Sequence, residues 1–333
     1  LKKIKNIESL IEAFSKLNAL VIGDVMLDAY LWGKVDRISP EAPVPIVAID
    51  KKENRLGGAA NVALNIQSLG ATPLLCSVIG SGAYSRTFIE LMQQQGLNTE
   101  GIYLSSSRNT TMKTRVIGNN HQMLRIDEET NSDLALSDYN QLFDRIANFI
   151  KSKKIDLIIF EDYDKGVISK SLIEEIVKLA KKNKIPVAAD PKKKNFNYYK
   201  GVTLLKPNLK ELREGMKIDM EKEDITEIRE AVEKLSKANS IDTVLVTLSE
   251  KGAYVYNKKE EQHVPAHFRN ISDVSGAGDT VISVASLCMA MKISPATMAA
   301  LSNLAGGIVC EKVGVVPIEK DQLISEANGL KIF

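Results

Sequence analysis

Five short apolar runs punctuate the chain, several of them closing on a polar residue: ALVIGD (19–24), DLIIF (156–160), IPVAAD (185–190), VTLLKPN (202–208) and TVLVTL (243–248). Runs of this length predict buried strands. Between several of them lie stretches with a helical period, such as SKSLIEEIVKLAKKNK, where apolar residues recur every three or four positions. Strand and helix in alternation predict an α/β fold, a mainly parallel sheet covered by helices on both faces. In such sheets the binding groups belong at the carboxyl ends of the strands. The opening LKKIKNIESLIEAFSKL carries charge throughout and reads as an amphipathic helix.

Two segments break this rhythm. Residues 30–56 are rich in proline and charge and lack a helical period, whereas 111–127 alternates and turns at Gly118, Asn119 and Asn120, which predicts a hairpin. Together the two segments are expected to form a small β lid on a single domain spanning 1–333.

The 333 residues allow a sizeable core, and 44 basic against 42 acidic side chains give a net charge of +2, so broad nucleic-acid binding is not expected. Any anion site must be local. No apolar run is long enough to predict a membrane span, and the N-terminal stretch lacks a signal-peptide core, so a cytoplasmic location is expected. Cys76, Cys288 and Cys310 sit in apolar surroundings and read as inert core residues; with the three histidines they form no zinc pattern.

DVSGAGDT (273–280) holds the clearest chemistry. The apolar run VISVASLCMAM that follows predicts a buried helix, so Gly276, Ala277 and Gly278 fall at its first turn. Unpaired backbone N–H groups there form an anion hole that glycine lets a ligand approach. An aspartate so close to a phosphate site suits the removal of a proton from an attacking hydroxyl, and Asp279 fills that place. In isolation the motif also reads as an ordinary helix start with a dipole-compatible carboxylate. GGAANVALNIQSLGA (57–71) is a second glycine-opened helix.

These two motifs, in this order and with TLLKPNLKEL, VTLSEKGA and LSNLAGG, resemble the ribokinase (phosphofructokinase-B type) family of carbohydrate kinases over nearly the whole chain. The resemblance implies a ribokinase-like fold, ATP and Mg²⁺ as cofactors, and leaves activation by a monovalent cation open. It makes Asp279 the base that activates a sugar hydroxyl, with the N–H groups around Gly276, Ala277 and Gly278 stabilising the phosphoryl group. It gives Asn208 and Glu211 a role in organising Mg²⁺ through water, although N…E at i, i+3 equally forms a helix capping box. Thr247, Ser249, Gly252 and Asn303 fall in its nucleotide regions.

Within the family, GDVMLD and RISPEAPVP resemble heptose kinases of lipopolysaccharide precursor synthesis, as do MKTRV, NHQMLRID, DYDKG and ADPKK. That implies phosphorylation of O1 of D-glycero-D-manno-heptose 7-phosphate to the 1,7-bisphosphate, on the route to ADP-heptose. Asp24, Asp28, Gly57, Gly58 and Asn61 are then expected at the sugar, and Arg37, Lys113, Arg115, Arg125 and Lys165 at its 7-phosphate, with Lys192 near either phosphate. Some heptose kinases are fused to a nucleotidyltransferase domain; no room for one is expected after the kinase motifs. A homodimer through the lid is a further expectation. A kinase for another sugar and a non-catalytic sugar or nucleotide sensor are the competing readings. In FEDYDKG, Glu161, Asp162 and Asp164 read either as a metal cluster or as a solvated acidic turn. GSGAYS (80–85) imitates a dinucleotide fingerprint only in part.

Overall fold

The computed structural model describes residues 4–219 and 224–333. In chain order the elements are α1 (Ile7–Phe14), β1 (Asn18–Gly23), β2 (Val25–Ile38), β3 (Pro45–Gly58), α2 (Ala59–Ser68), β4 (Thr72–Gly80), α3 (Ala83–Gln94), β5 (Ile102–Ser105), β6 (Thr111–Gly118), β7 (His121–Glu128), α4 (Leu136–Ser152) and β8 (Leu157–Glu161). There follow α5 (Lys170–Asn183), β9 (Val187–Asp190), β10 (Leu204–Leu205), α6 (Leu209–Met216), α7 (Ile225–Asn239), β11 (Thr243–Thr247), β12 (Ala253–Asn257), β13 (Glu261–Val264), α8 (Ala277–Ala290), α9 (Pro295–Val309) and α10 (Lys320–Gly329). The amphipathic opening therefore becomes α1, capped by Asn6, which accepts from the Ser9 N–H; the first three residues of that stretch lie outside the described residues.

Nine strands form the main sheet in the order β13-β12-β11-β10-β9-β8-β1-β4-β5, parallel except for β12 and β13. Successive side chains of a strand point to opposite faces, and here both faces are buried. Ala19 and Val21 of β1, with Leu157 and Ile159 of β8, pack into the layer of α1, α2, α8, α9 and α10. Leu20, Ile22, Ile158 and Phe160 pack into the opposite layer with α4, α5 and α7. That is why the strands read as unbroken apolar runs. All three cysteines are buried and unpaired, and burial pushes the thiols of Cys76 and Cys288 up.

The lid is a separate four-stranded sheet, β3-β2-β6-β7. It starts earlier than the sequence suggests, because Val25–Tyr30 of β2 is buried at its root while the rest of the ribbon extends outward. The β6–β7 turn places Asn119 at φ 52° and Asn120 at φ 66°, the double left-handed conformation a two-residue hairpin requires. Gly80 of GSGAYS lies where a Cβ would meet the Arg108 carbonyl at 2.5 Å, so chain packing accounts for that glycine. Among the described residues no helix is long and apolar enough to cross a membrane.

Candidate active site

The carboxyl ends of five parallel strands form one polar edge. Register sets Gly23 beside Glu161 and Glu161 beside Asp190, while Lys206 follows β10 and Thr247 ends β11. The first turn of α8 lies over this edge. Gly276 has φ 81°, and a Cβ there would come within 2.9 Å of the Asn61 amide, so the position favours glycine twice over. Ala277 and Thr280 donate to Val274 and Gly276. The N–H groups of Gly276, Gly278 and Asp279 find no acceptor among the described residues, which leaves a set of donors aimed at the site.

Asp279 is 3% exposed. Each of its oxygens accepts one hydrogen bond: Oδ2 from Asn61 Nδ2 at 2.8 Å and Oδ1 from the Tyr163 hydroxyl at 2.7 Å. Burial raises its pKa to about 6 against the opposing effect of these two donors, with Asp190 adding to the rise and Lys206 resisting it. Asn65, one turn beyond Asn61, accepts from Thr280 at 3.1 Å, so the two glycine-opened helices are bonded along one seam.

Beneath the helix start lies a buried ion pair, Lys206 Nζ to Asp190 Oδ2 at 2.9 Å, both side chains 3% exposed. A Cβ on Gly278 would sit 3.6 Å from that Nζ. Glu161 is fully buried and neither of its oxygens has a hydrogen-bond partner. Burial, with the charges of Asp190 and Asp279, pushes its pKa well above the ordinary carboxylate value. Lys192 bonds Glu211, with Asp190 3.7 Å away, and burial fails to lower its pKa against those carboxylates.

Asn208 and Glu211 form a full capping box at the start of α6, each accepting the other's backbone N–H at 2.8 Å. Among the described residues no three carboxylate, histidine or cysteine side chains could hold a metal ion on their own. The buried Asp190 Oδ1, which lacks a hydrogen bond, offers a hard oxygen beside this box. One or two carboxylates with water and phosphate oxygens is the coordination Mg²⁺ prefers, so the residues fit a hydrated ion carried in with the nucleotide.

Several expected sugar contacts are committed within the protein. Asp24, 1% exposed, accepts from the N–H groups of Tyr163, Lys165 and Val167 at 2.8, 3.1 and 3.0 Å and so binds the 163–167 turn instead of facing a ligand. Asp28 is paired with Arg115, and its Oδ2 occupies the space a Cβ on Gly57 would fill. Gly58 (φ 60°) lies against the Asp24 carbonyl, and Asn61 bonds Asp279. Their proximity to the site is real, but close packing has already used their hydrogen-bonding groups.

The cations separate in the same way. Arg37 is exposed on the outer half of the ribbon, nine residues from Asp28, or about 30 Å along a strand. Arg115 is bonded to Asp28 and lies over Tyr30; Arg125 pairs with Asp127, and Lys165 with Glu129. Lys113 has no carboxylate within ion-pair distance among the described residues. It lies half-buried beneath the lid, 5.9 Å from the Tyr163 ring centre, and burial with Lys165 and Arg125 nearby holds its ammonium below the usual lysine value. Asp127 and Glu129 oppose that shift but are already paired, with Arg125 and Lys165, so Lys113 keeps no carboxylate of its own.

On the other side, Thr247 bridges to Asn208 at the sheet edge and is half-buried. Ser249 is exposed with φ 53°. Gly252 serves packing, since a Cβ there would strike the Val264 carbonyl at 2.0 Å. Asn303 donates to the Pro265 carbonyl and holds the loop leading to α8. In FEDYDKG, Glu161 and Asp162 are fully buried, so the segment is neither a metal cluster nor a solvated turn. Asp162 accepts from Asn195 and Tyr199, and burial beside Asp24 raises its pKa to about 7. Sequence reasoning missed Tyr163, Lys206 and Asp190. The only available signal for the last two was a charged residue closing an apolar strand.

A doubly covered sheet with a helix start of free N–H donors, a buried carboxylate beside them and a β lid is the architecture of an ATP-dependent carbohydrate kinase. The model of the pfkB family carbohydrate kinases matches residues 16–321, and the chain belongs to that family. The bifunctional protein HldE of Desulfatibacillum aliphaticivorans is 40% identical over 98% of this chain, and that of Methylobacillus flagellatus 40% over 93%; the aligned regions cover 67% and 63% of those proteins. The chain thus spans about two thirds of the length of these relatives. Among solved structures, Escherichia coli phosphofructokinase-2 in complex with potassium aligns over 95% of this chain and 99% of its own (TM-score 0.79, 18% identity). Arabidopsis thaliana ribokinase complexed with ribose and ATP aligns over 92% and 98% (TM-score 0.70, 17% identity). Both likenesses establish the ribokinase-like fold.

Proposed function

We propose that the chain transfers the γ-phosphoryl group of ATP to O1 of D-glycero-D-manno-heptose 7-phosphate, supplying the 1,7-bisphosphate for ADP-heptose synthesis in the cytoplasm. The observation that carries this reading is the placement of Asp279 in a helix start with free N–H donors, bonded to Tyr163, whose ring centre lies 5.9 Å from the Lys113 ammonium. Asp279 takes the proton of O1 as the O1–P bond forms and the bond to ADP breaks. The N–H groups of Gly276, Gly278 and Asp279 accept the charge that develops on the phosphoryl oxygens. Asn208, Glu211 and Asp190 would hold hydrated Mg²⁺, which when bound neutralises phosphate charge. Thr247 and the 249–252 turn border the nucleotide, and Lys192 lies on that side of Tyr163. The relatives named HldE support the heptose assignment, and so do the GDVMLD and RISPEAPVP elements.

Turnover from Mg-ATP across heptose 7-phosphate, ribose, fructose and fructose 6-phosphate tests the assignment. Rapid phosphorylation of the heptose phosphate alone is the expected result, and a preference for another sugar discards it. Lys113→Ala is expected to raise KM for the sugar phosphate by about 10- to 100-fold, the value of a hydrogen bond to a charged group, with kcat and the KM for Mg-ATP nearly unchanged. An unchanged sugar KM would move the 7-phosphate elsewhere.

The lid also supports a homodimer. Its edge strand β7 is exposed along its whole length, and Met123, Leu124 and Ile126 are 42%, 55% and 45% exposed. An open strand edge with apolar side chains is a surface that a second copy covers. Leu124→Asp is expected to shift the protein from dimer to monomer in sedimentation velocity at micromolar concentration.

A further inference from the structure

Tyr163 touches more of the site than any residue read from the sequence. Its hydroxyl donates to Asp279 Oδ1 at 2.7 Å, and its ring lies near two cations from different elements. Lys113 of the lid lies 5.9 Å from the ring centre, and Lys192, on the Glu211 side, lies 5.3 Å from it. The ring is therefore close both to the lid cation Lys113 and to Lys192 beside the capping box.

The backbone around it is fixed from both ends. Asp24 accepts from the N–H groups of Tyr163, Lys165 and Val167, and the neighbouring Asp162 is held by Asn195 and Tyr199. Gly166, at φ 86°, lies where a Cβ would meet the Ser132 carbonyl at 1.9 Å, so the turn has no room to shift on that side. A turn held this firmly delivers its one phenol to a defined point. The buried carboxylates Asp24 and Asp162, which make no contact with the base, act through that turn.

We propose that Tyr163 is a positioning residue for the base: its hydroxyl and the Asn61 amide each hold one oxygen of Asp279, aiming the carboxylate's remaining lone pairs at the acceptor hydroxyl and favouring its charged form. The proposal rests on Asp279 acting as the base. A carboxylate oxygen can accept two hydrogen bonds, so Oδ1 keeps the phenol while a free lone pair takes the O1 proton. Burial and the nearby Asp279 and Glu161 keep the phenol well above its ordinary pKa, so it stays a donor through the working range. The other groups that face Asp279 are Asp190 from β9, Glu161 from β8 and Lys206 ahead of α6. Of these only Lys206 favours the carboxylate, which makes the two neutral donors the main support of its charge.

Tyr163→Phe keeps the ring beside the two lysines and removes only the hydroxyl. Loss of a hydrogen bond to a charged group corresponds to about one to two pH units on the partner. The acid limb of kcat against pH is therefore expected to move up by about one unit, and kcat at neutral pH to fall about twofold through loss of the ionised form, with the KM for Mg-ATP little changed. The ¹³C carboxyl titration of Asp279 in the resting protein should show the same upward shift with no sugar present. Incorporating 3-fluorotyrosine at position 163, a stronger donor of nearly the same size, should move both readings down, and it covers the case in which the Phe variant folds poorly. A folded Phe variant whose limb and titration both stay in place overturns the proposal. Asp279→Asn separates the two ideas: full turnover in that variant removes the base, whereas the ¹³C shift alone decides whether Tyr163 controls the carboxylate.

Discussion

Asp279→Asn is expected to lower kcat by about 10²- to 10⁴-fold while the KM for Mg-ATP stays within a fewfold of the parent. The substitution removes the proton acceptor and little else, because an asparagine can still bond Tyr163 and Asn61 once the Asn61 amide turns over. The same residue sets a pH dependence. A base must be deprotonated, and burial raises Asp279 to about 6, so activity should fall on an acid limb near that pH. Stability runs the other way. A carboxyl group whose folded pKa lies above its unfolded value of 3.8 contributes stability that is complete below about 3.8 and lost as pH rises through about 6. The ionised base therefore costs the fold on the order of 2–3 kcal/mol at neutral pH. Asp279→Asn should melt higher than the parent at pH 8 and lose that advantage near pH 4. An inactive variant that melts lower at every pH would count against a strained, charged base.

The second large effect is expected at Lys206. Its ammonium is the fully buried partner of Asp190, and it lies close enough to Glu161 and Asp279 to oppose the rise of their pKa values. Lys206→Met fills the volume but leaves this group of acids with one buried cation fewer. Removing one member of a buried pair costs about 3–5 kcal/mol, since the remaining charge is stranded out of water. A fall in melting temperature of several degrees at pH 8 is expected. The deficit should shrink at pH 5, where the acids take up protons. Urea melts at the two pH values check this, and equal losses at both would show that Lys206 acts by packing alone. Activity should fall as well, because the pair supports the start of α8 beside Gly278.

How much of this was legible depended on whether the signal was local. The apolar runs became β1, β8, β9, β10 and β11 because burial on both faces leaves no polar alternation to disguise a strand. Asn119 and Asn120 revealed their turn because few other residues tolerate a double left-handed conformation. The glycine-opened starts of α2 and α8 were visible for the same reason. Asn208 and Glu211 showed in sequence both of their readings, and the structure displays the capping box.

The sugar contacts fared differently. Asp24, Asp28 and Asn61 were rightly placed near the strand ends, but a sequence does not record which hydrogen bonds are already taken. Among six candidate cations, only pairing distances distinguish Lys113 from Arg115, Arg125, Lys165 and Lys192, each of which has a carboxylate. Tyr163 carried no pattern at all. Its role comes from a partner 116 positions away.

Sequence by itself determined the layers, the glycine-opened helices and the family, because each depends on residue type and on neighbours a few positions away. Tertiary structure alone decided which polar groups are free to act. Burial raises the price of an unpaired charge, so distant acids and bases find one another across the strand ends, and among the described residues the first-turn N–H groups of α8 and the ammonium of Lys113 are donors left over where ligands are expected.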